Sequence, residues 1–213
     1  MKNVAILLVT VTLCCTLARS QNVTSKTTVV SGVATGTTNE RTDLPFFTTS
    51  ADAEKIVSSI MAAMGLESDF KIKAAHVPNV EAKIRHHERY ILYNPEFVRQ
   101  VNEITRNKWA SIFILAHEVG HHLEGHTLLD INSRPPIELE ADEFAGFVLH
   151  KMGASLQQSQ LAMYYISNSE PSKTHPARAD RLAAIEKGWD RADGQTAAVS
   201  YDASPTQTTT QNN

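Results

Sequence analysis

Residues 117–121 read His117-Glu118-Val119-Gly120-His121. On a helix, two histidines four residues apart lie about 40° apart around the axis and about 6 Å apart along it. Their imidazoles then converge on one Zn2+ with bonds of about 2.0–2.1 Å. Glu118 stands about 100° round from His117, too far to ligate beside the two rings but close enough to reach water next to the ion. Such spacing is suited to metal-assisted hydrolysis, with the intervening glutamate as general base. The run Trp109-Ala110-Ser111-Ile112-Phe113-Ile114-Leu115-Ala116 just upstream is apolar on nearly every side and predicts a buried central helix to carry the motif.

A catalytic zinc takes three protein ligands and keeps one position open. The third ligand is sought on the predicted helix Pro136–Met152. There Asp142 falls about 40° from Glu138, with Ala145 and Leu149 on the same side, whereas Glu140 falls about 200° away. A carboxylate on an inward face is costly unless a cation meets it. Glu138 is therefore the expected metal ligand. Asp142 is expected to hydrogen-bond the free ring nitrogen of a ligand histidine. The alternative is that these acids decorate a first helical turn, where the dipole favours them. Glu140 and Glu143 are expected on the surface. His76, His86, His87, His122, His126 and His150 are expected as surface or structural histidines, and Tyr164 and Tyr165 as core packing.

The chain that must position these groups has 213 residues, 42% hydrophobic and 20% charged, which excludes a collagen, a wholly disordered chain and a disulfide-dense miniprotein. Net charge is −3, and without a basic patch nucleic acid is excluded as the expected partner. Residues 1–20 have the order of a secretory signal: Lys2, then an apolar, Thr and Cys run from Val4 to Leu17, then Ala18-Arg19-Ser20. A membrane span needs roughly 20 apolar residues, so no stable span is expected once the signal is cleaved; the alternative is a retained anchor. Cleavage removes Lys2, Arg19 and both cysteines, Cys14 and Cys15, leaving a more acidic, exported chain, periplasmic or extracellular. Any metal site must then be built from His, Asp and Glu. Residues 21–43, rich in Thr, Ser and Gly, are expected as a disordered leader, 44–191 as the folded domain and 192–213 as a disordered tail.

Within the body, Ala51–Met64 has helical spacing. Phe70–His76, Val80–Arg85 and Tyr90–Tyr93 are short strands, expected in hairpin connection. Helices are expected over Pro95–Asn102, Lys108–Glu124, Pro136–Met152, Ser155–Ser167 and Pro176–Lys187, with Gly125 and Gly153 as stops and Pro136 and Pro176 in first turns. This is an α+β class: a small antiparallel sheet packed on a mainly helical domain.

Three motifs stand in order: Phe113-Ile114-Leu115-Ala116-His117-Glu118-Val119-Gly120-His121-His122, then Glu138-Leu139-Glu140-Ala141-Asp142-Glu143-Phe144-Ala145-Gly146, then Thr174-His175-Pro176 with Arg181 six residues after the histidine. Over about Tyr90–Trp189 the chain resembles the gluzincin zinc peptidases related to the CAAX-prenyl protease and the HtpX heat-shock protease. The resemblance implies a gluzincin-like fold, zinc on His117, His121 and Glu138, a general base at Glu118, and Asp142 behind a ligand histidine. It also implies that His175 and Arg181 stand near the open metal position. The membrane-embedded relatives carry transmembrane helices, and this chain looks like a small soluble exported branch.

The expected function is that of a zinc metalloendopeptidase with one Zn2+ per chain, acting on a peptide or unfolded-protein substrate among exported or envelope proteins. Zinc activates water, Glu118 takes its proton, and His175 or Arg181 donates to the developing oxyanion. For these two the alternatives are that His175 caps its helix or ligates the resting metal, and that Arg181 pairs with a carboxylate. Arg89–Asn94 is either an edge strand beside the cleft, to which a substrate backbone adds, or a core strand. The rival functions are a non-catalytic exported metal-binding module that retains the zinc site, and a zinc hydrolase of non-peptide substrates.

Overall fold

The computed structural model describes residues 44–128 and 134–202. The expected signal and leader lie outside these residues. Along the described chain the order is α1 (Ser50–Ala63), β1 (Phe70–Ala74), β2 (Val80–Arg85), β3 (Glu88–Tyr93), α2 (Pro95–Thr105), α3 (Lys108–Leu123), a short 3-10 turn (His126–Leu128), α4 (Pro135–Lys151), α5 (Leu156–Ile166) and α6 (Arg178–Asp202). The class is α+β, with a three-stranded sheet and six α-helices among the described residues.

The sheet is mixed, not antiparallel as expected. Its order is β1-β3-β2: β3 runs antiparallel to β2 (Ala82 opposite Ile91) and parallel to β1 (Ile72 opposite Ile91). Burial and charge account for the arrangement. In β3, Ile91, Leu92 and Tyr93 are all buried, so this strand gains most from having both edges paired. β1 and β2 carry Lys71, Lys73, Glu81 and Lys83, charges that suit the outer positions of a sheet. The β2–β3 hairpin does form, turning at His86 and His87, whose positive φ values of 51° and 63° match a two-residue turn that follows the strand twist. The β1–β2 connection is not a hairpin. It passes over the end of β3, where Asn94 donates from its backbone to the Asn79 carbonyl (2.7 Å) and from its side chain to the Val77 carbonyl (3.0 Å). Arg89–Tyr93 is thus the central strand, and the edge-strand expectation for this segment is corrected: β2 is the strand with a free edge on the cleft side.

Helix α3 is the axis of the molecule. It packs on α1, α2, α4, α5 and the sheet, and every residue from Trp109 to Gly120 is buried. Asn107 starts it by accepting a hydrogen bond from the Trp109 N–H (3.0 Å). Gly125 and Gly153 follow α3 and α4 with φ of +78° and +93°, as expected of helix stops.

Helices α4 and α6 touch backbone to backbone. A Cβ at Gly146 would lie 2.1 Å from the Ile185 carbonyl oxygen, and one at Gly188 would lie 1.9 Å from that of Glu143. This contact sets Arg181 of α6 against the acidic face of α4. α6 begins at Arg178 and not at Pro176, and continues to Asp202, past Ala192, where a disordered tail was expected to start. Packing carries it onward: Ala192 is fully buried and the Trp189 indole N–H donates to the Ala154 carbonyl (3.0 Å). Tyr164 and Tyr165, expected in the core, are 57% and 50% exposed, because the inward positions of α5 are taken by Ser159, Ala162 and Met163. Among the described residues no helix is long and apolar enough to cross a membrane.

Candidate metal centre

His117 and His121 project from the last turns of α3 with their Nε2 atoms 3.1 Å apart. Glu138, in the first turn of α4, brings Oε2 to 3.4 Å from His117 Nε2 and Oε1 to 3.6 Å from His121 Nε2. Glu138 is only 5% exposed, so the alternative of an acid decorating a helix end in solvent does not hold for it. These three residues form a group that could hold a metal ion. The spacing bears directly on fit: a tetrahedral ion with bonds of about 2.0–2.1 Å keeps its donors about 3.3–3.4 Å apart. Two imidazole nitrogens and a carboxylate, with no thiolate, suit zinc and other divalent metals of similar hardness.

Charge leads to the same conclusion. Glu118, Glu138 and Asp142 are buried together, and the single guanidinium among them is that of Arg181. With neutral imidazoles, the two carboxylates Glu138 and Asp142 outnumber the one guanidinium, and a bound cation offsets the excess negative charge. The histidines register this demand. Burial pulls the pKa of His117 down, but Asp142 and Glu138 outweigh it and hold the ring well above its ordinary value. His121 is pushed down, by burial first and then by the charge on His117.

Asp142 is fully buried, with Oδ1 2.9 Å from His117 Nδ1. Arg181 clasps it with two hydrogen bonds, Nε to Oδ2 at 2.6 Å and Nη2 to Oδ1 at 2.7 Å, and stands 3.7 Å from Glu138. Of the two readings of Arg181, pairing with a carboxylate is the one observed. Glu118 is 7% exposed; burial raises its pKa to about 7, against the lowering effects of His117 and the nearby Ala82 backbone. His175 is exposed at the mouth of the cleft. Its Nδ1 lies 2.8 Å from Thr174 Oγ1 and its backbone N–H donates to Ser172 Oγ, while α6 starts only at Arg178, so it does not cap that helix.

All of these groups except Asp142 line one cleft of about 790 Å³. One wall is Pro78–Ile84, and the floor includes Ile114, Ile137, Met163 and Ile166.

Two further histidines, both expected as surface or structural, stand beside these groups. His126 is buried, with Nδ1 3.0 Å from Nδ1 of His121 and Nε2 2.8 Å from Oε2 of Glu140. The signal for this was Gly125, whose left-handed turn sends the chain back so that the next ring lies against α3. His122, expected as surface or structural, is structural: its Nε2–H donates to the Tyr90 carbonyl (2.9 Å), and Thr127 Oγ1 lies 3.2 Å from its Nδ1.

Comparison with protein-family models, curated proteins and solved structures finds no match to this chain.

Proposed function

We propose that this protein is a zinc metalloendopeptidase of the gluzincin type, exported to the periplasm or extracellular space, cleaving peptide or unfolded-protein substrates with one Zn2+ per chain. The observation that carries the reading is the position of Glu118. A carboxylate is not needed there to bind metal, yet it opens into the same cleft as the three donors, with a pKa near 7. A group that titrates near neutrality can accept a proton and return it, which is what a general base does.

His117, His121 and Glu138 would hold the ion. Bound there, it supplies Lewis-acid charge that acidifies water and offsets negative charge developing on a carbonyl oxygen. Glu118 accepts the proton of the attacking water and passes it to the leaving nitrogen. Asp142, fixed by Arg181 and 2.9 Å from Nδ1 of His117, would orient that ring with Nε2 inward. The free edge of β2 offers backbone groups to an extended substrate along the cleft wall. His175, exposed at the mouth, would donate to a substrate oxygen.

The test compares zinc content and cleavage of unfolded casein between the native protein and Glu118→Gln. The expected result is equal zinc and a loss of roughly 10²–10⁴ in kcat. Zinc binding with no Glu118-dependent cleavage would leave a non-catalytic metal-binding module instead.

A further inference from the structure

His126 lines the same cleft beside the candidate centre, Glu140 stands beyond it, and neither takes part in the proposed hydrolysis. They sit on different elements, the 3-10 turn after α3 and the second turn of α4. His126 is 7% exposed, whereas the Glu140 side chain is 59% exposed. The three groups form a line: Glu140 Oε2 to His126 Nε2 at 2.8 Å, then His126 Nδ1 to His121 Nδ1 at 3.0 Å.

Hydrogen placement along this line has one consistent solution with a metal at the other end. An ionised carboxylate only accepts, so His126 carries its hydrogen on Nε2 and donates it to Glu140. In a neutral ring Nδ1 is then a lone pair, which must receive a hydrogen from His121 Nδ1. His121 in turn presents the lone pair of Nε2, the atom that faces His117 and Glu138. The reverse order would put the hydrogen on Nε2 of His121 and remove it as a metal donor. The other ring faces a carboxylate without an intermediary: Asp142 Oδ1 lies 2.9 Å from His117 Nδ1.

We propose that His126 and Glu140 are positioning residues that fix the tautomer and ring orientation of His121, so that the site binds its metal through a carboxylate–histidine–histidine chain. The inference rests on the reading of His117, His121 and Glu138 as metal ligands. It assigns the two residues a role in metal affinity rather than in contact with substrate.

The test measures the Zn2+ dissociation constant by competition with a chromophoric chelator. Outer partners of ligand histidines typically tune affinity 10–100-fold. His126→Ala should weaken binding by about that factor, and His126→Asn, whose amide oxygen still accepts from His121, should recover most of it. Glu140→Ala, at an exposed position that leaves folding intact, should weaken binding in the native background and have no further effect in the His126→Ala background. Ring-nitrogen NMR of the zinc-loaded protein should show His121 protonated at Nδ1. A His126→Ala dissociation constant within twofold of native, or an equal Glu140→Ala effect in both backgrounds, overturns the proposal and leaves the metal centre standing. Failure of the native protein to take up zinc overturns the centre itself, and the proposal with it.

Discussion

Arg181 of α6 and Asp142 of α4 meet through two hydrogen bonds of 2.6 and 2.7 Å in a buried setting at the cleft. The pair joins the last helix to the candidate metal centre, since Asp142 also lies 2.9 Å from His117. Removing one partner strands a buried charge, which typically costs about 3–5 kcal/mol. Arg181→Met should therefore lower stability by about that amount in urea unfolding of zinc-free protein. Arg181→Lys should restore only part of it, because an ammonium cannot reproduce the planar two-point contact. Replacing Asp142 by Asn in the Arg181→Met background should reduce the loss.

Metal uptake should release protons. Burial acts to lower the His117 pKa, but Asp142 and Glu138 raise it above its ordinary value, so the metal-free ring is protonated at neutral pH. Zinc requires the neutral ring. Affinity should therefore weaken as pH falls, by about tenfold per pH unit for one proton released. Calorimetry in buffers of different ionisation enthalpy measures the count; a value of zero would contradict the assignment of His117 as ligand.

Glu118 should cost the protein stability at high pH. Burial raises its carboxyl from an ordinary 4.5 to about 7. Between those values the unfolded chain ionises while the folded one keeps its proton, so unfolding becomes easier as pH rises through the window. Glu118→Gln escapes this effect. Its zinc-free form should melt above the native protein at pH 8, and the gap should close below about pH 4.5. A constant gap across that range would show that Glu118 is not held away from ionisation by its surroundings.

The α4–α6 crossing leaves no room for a methyl group. Gly188→Ala would set a Cβ 1.9 Å from the Glu143 carbonyl oxygen, so one backbone must move. A destabilisation of about 1–3 kcal/mol or more is expected. Displacement of α6 would also pull Arg181 from Asp142, so zinc affinity should fall together with the melting temperature. Gly194→Ala, on the same helix with nothing within 4 Å of its Cβ position, should leave zinc affinity unchanged and raise the melting temperature slightly through helix propensity.

Two periodicities made much of the centre legible in the sequence. The four-residue spacing of His117 and His121, and that of Glu138 and Asp142, each put two groups on one helical face, and helical geometry is local. The apolar run before His117 likewise marked α3 as buried before any partner was known. What the residues could not state was which elements meet. β3 took the centre of the sheet because pairing both of its edges buries Ile91, Leu92 and Tyr93, a gain that exists only once β1 and β2 are in place. α6 ran on to Asp202 because Ala192 and Trp189 found a surface on α4 and its exit loop. Arg181 found Asp142, and His126 found both His121 and Glu140, across separations that no repeat in the chain encodes. Local spacing chose the candidate metal donors; long-range packing chose the groups that stand against them, because a partner outside one's own helix is set by how helices cross.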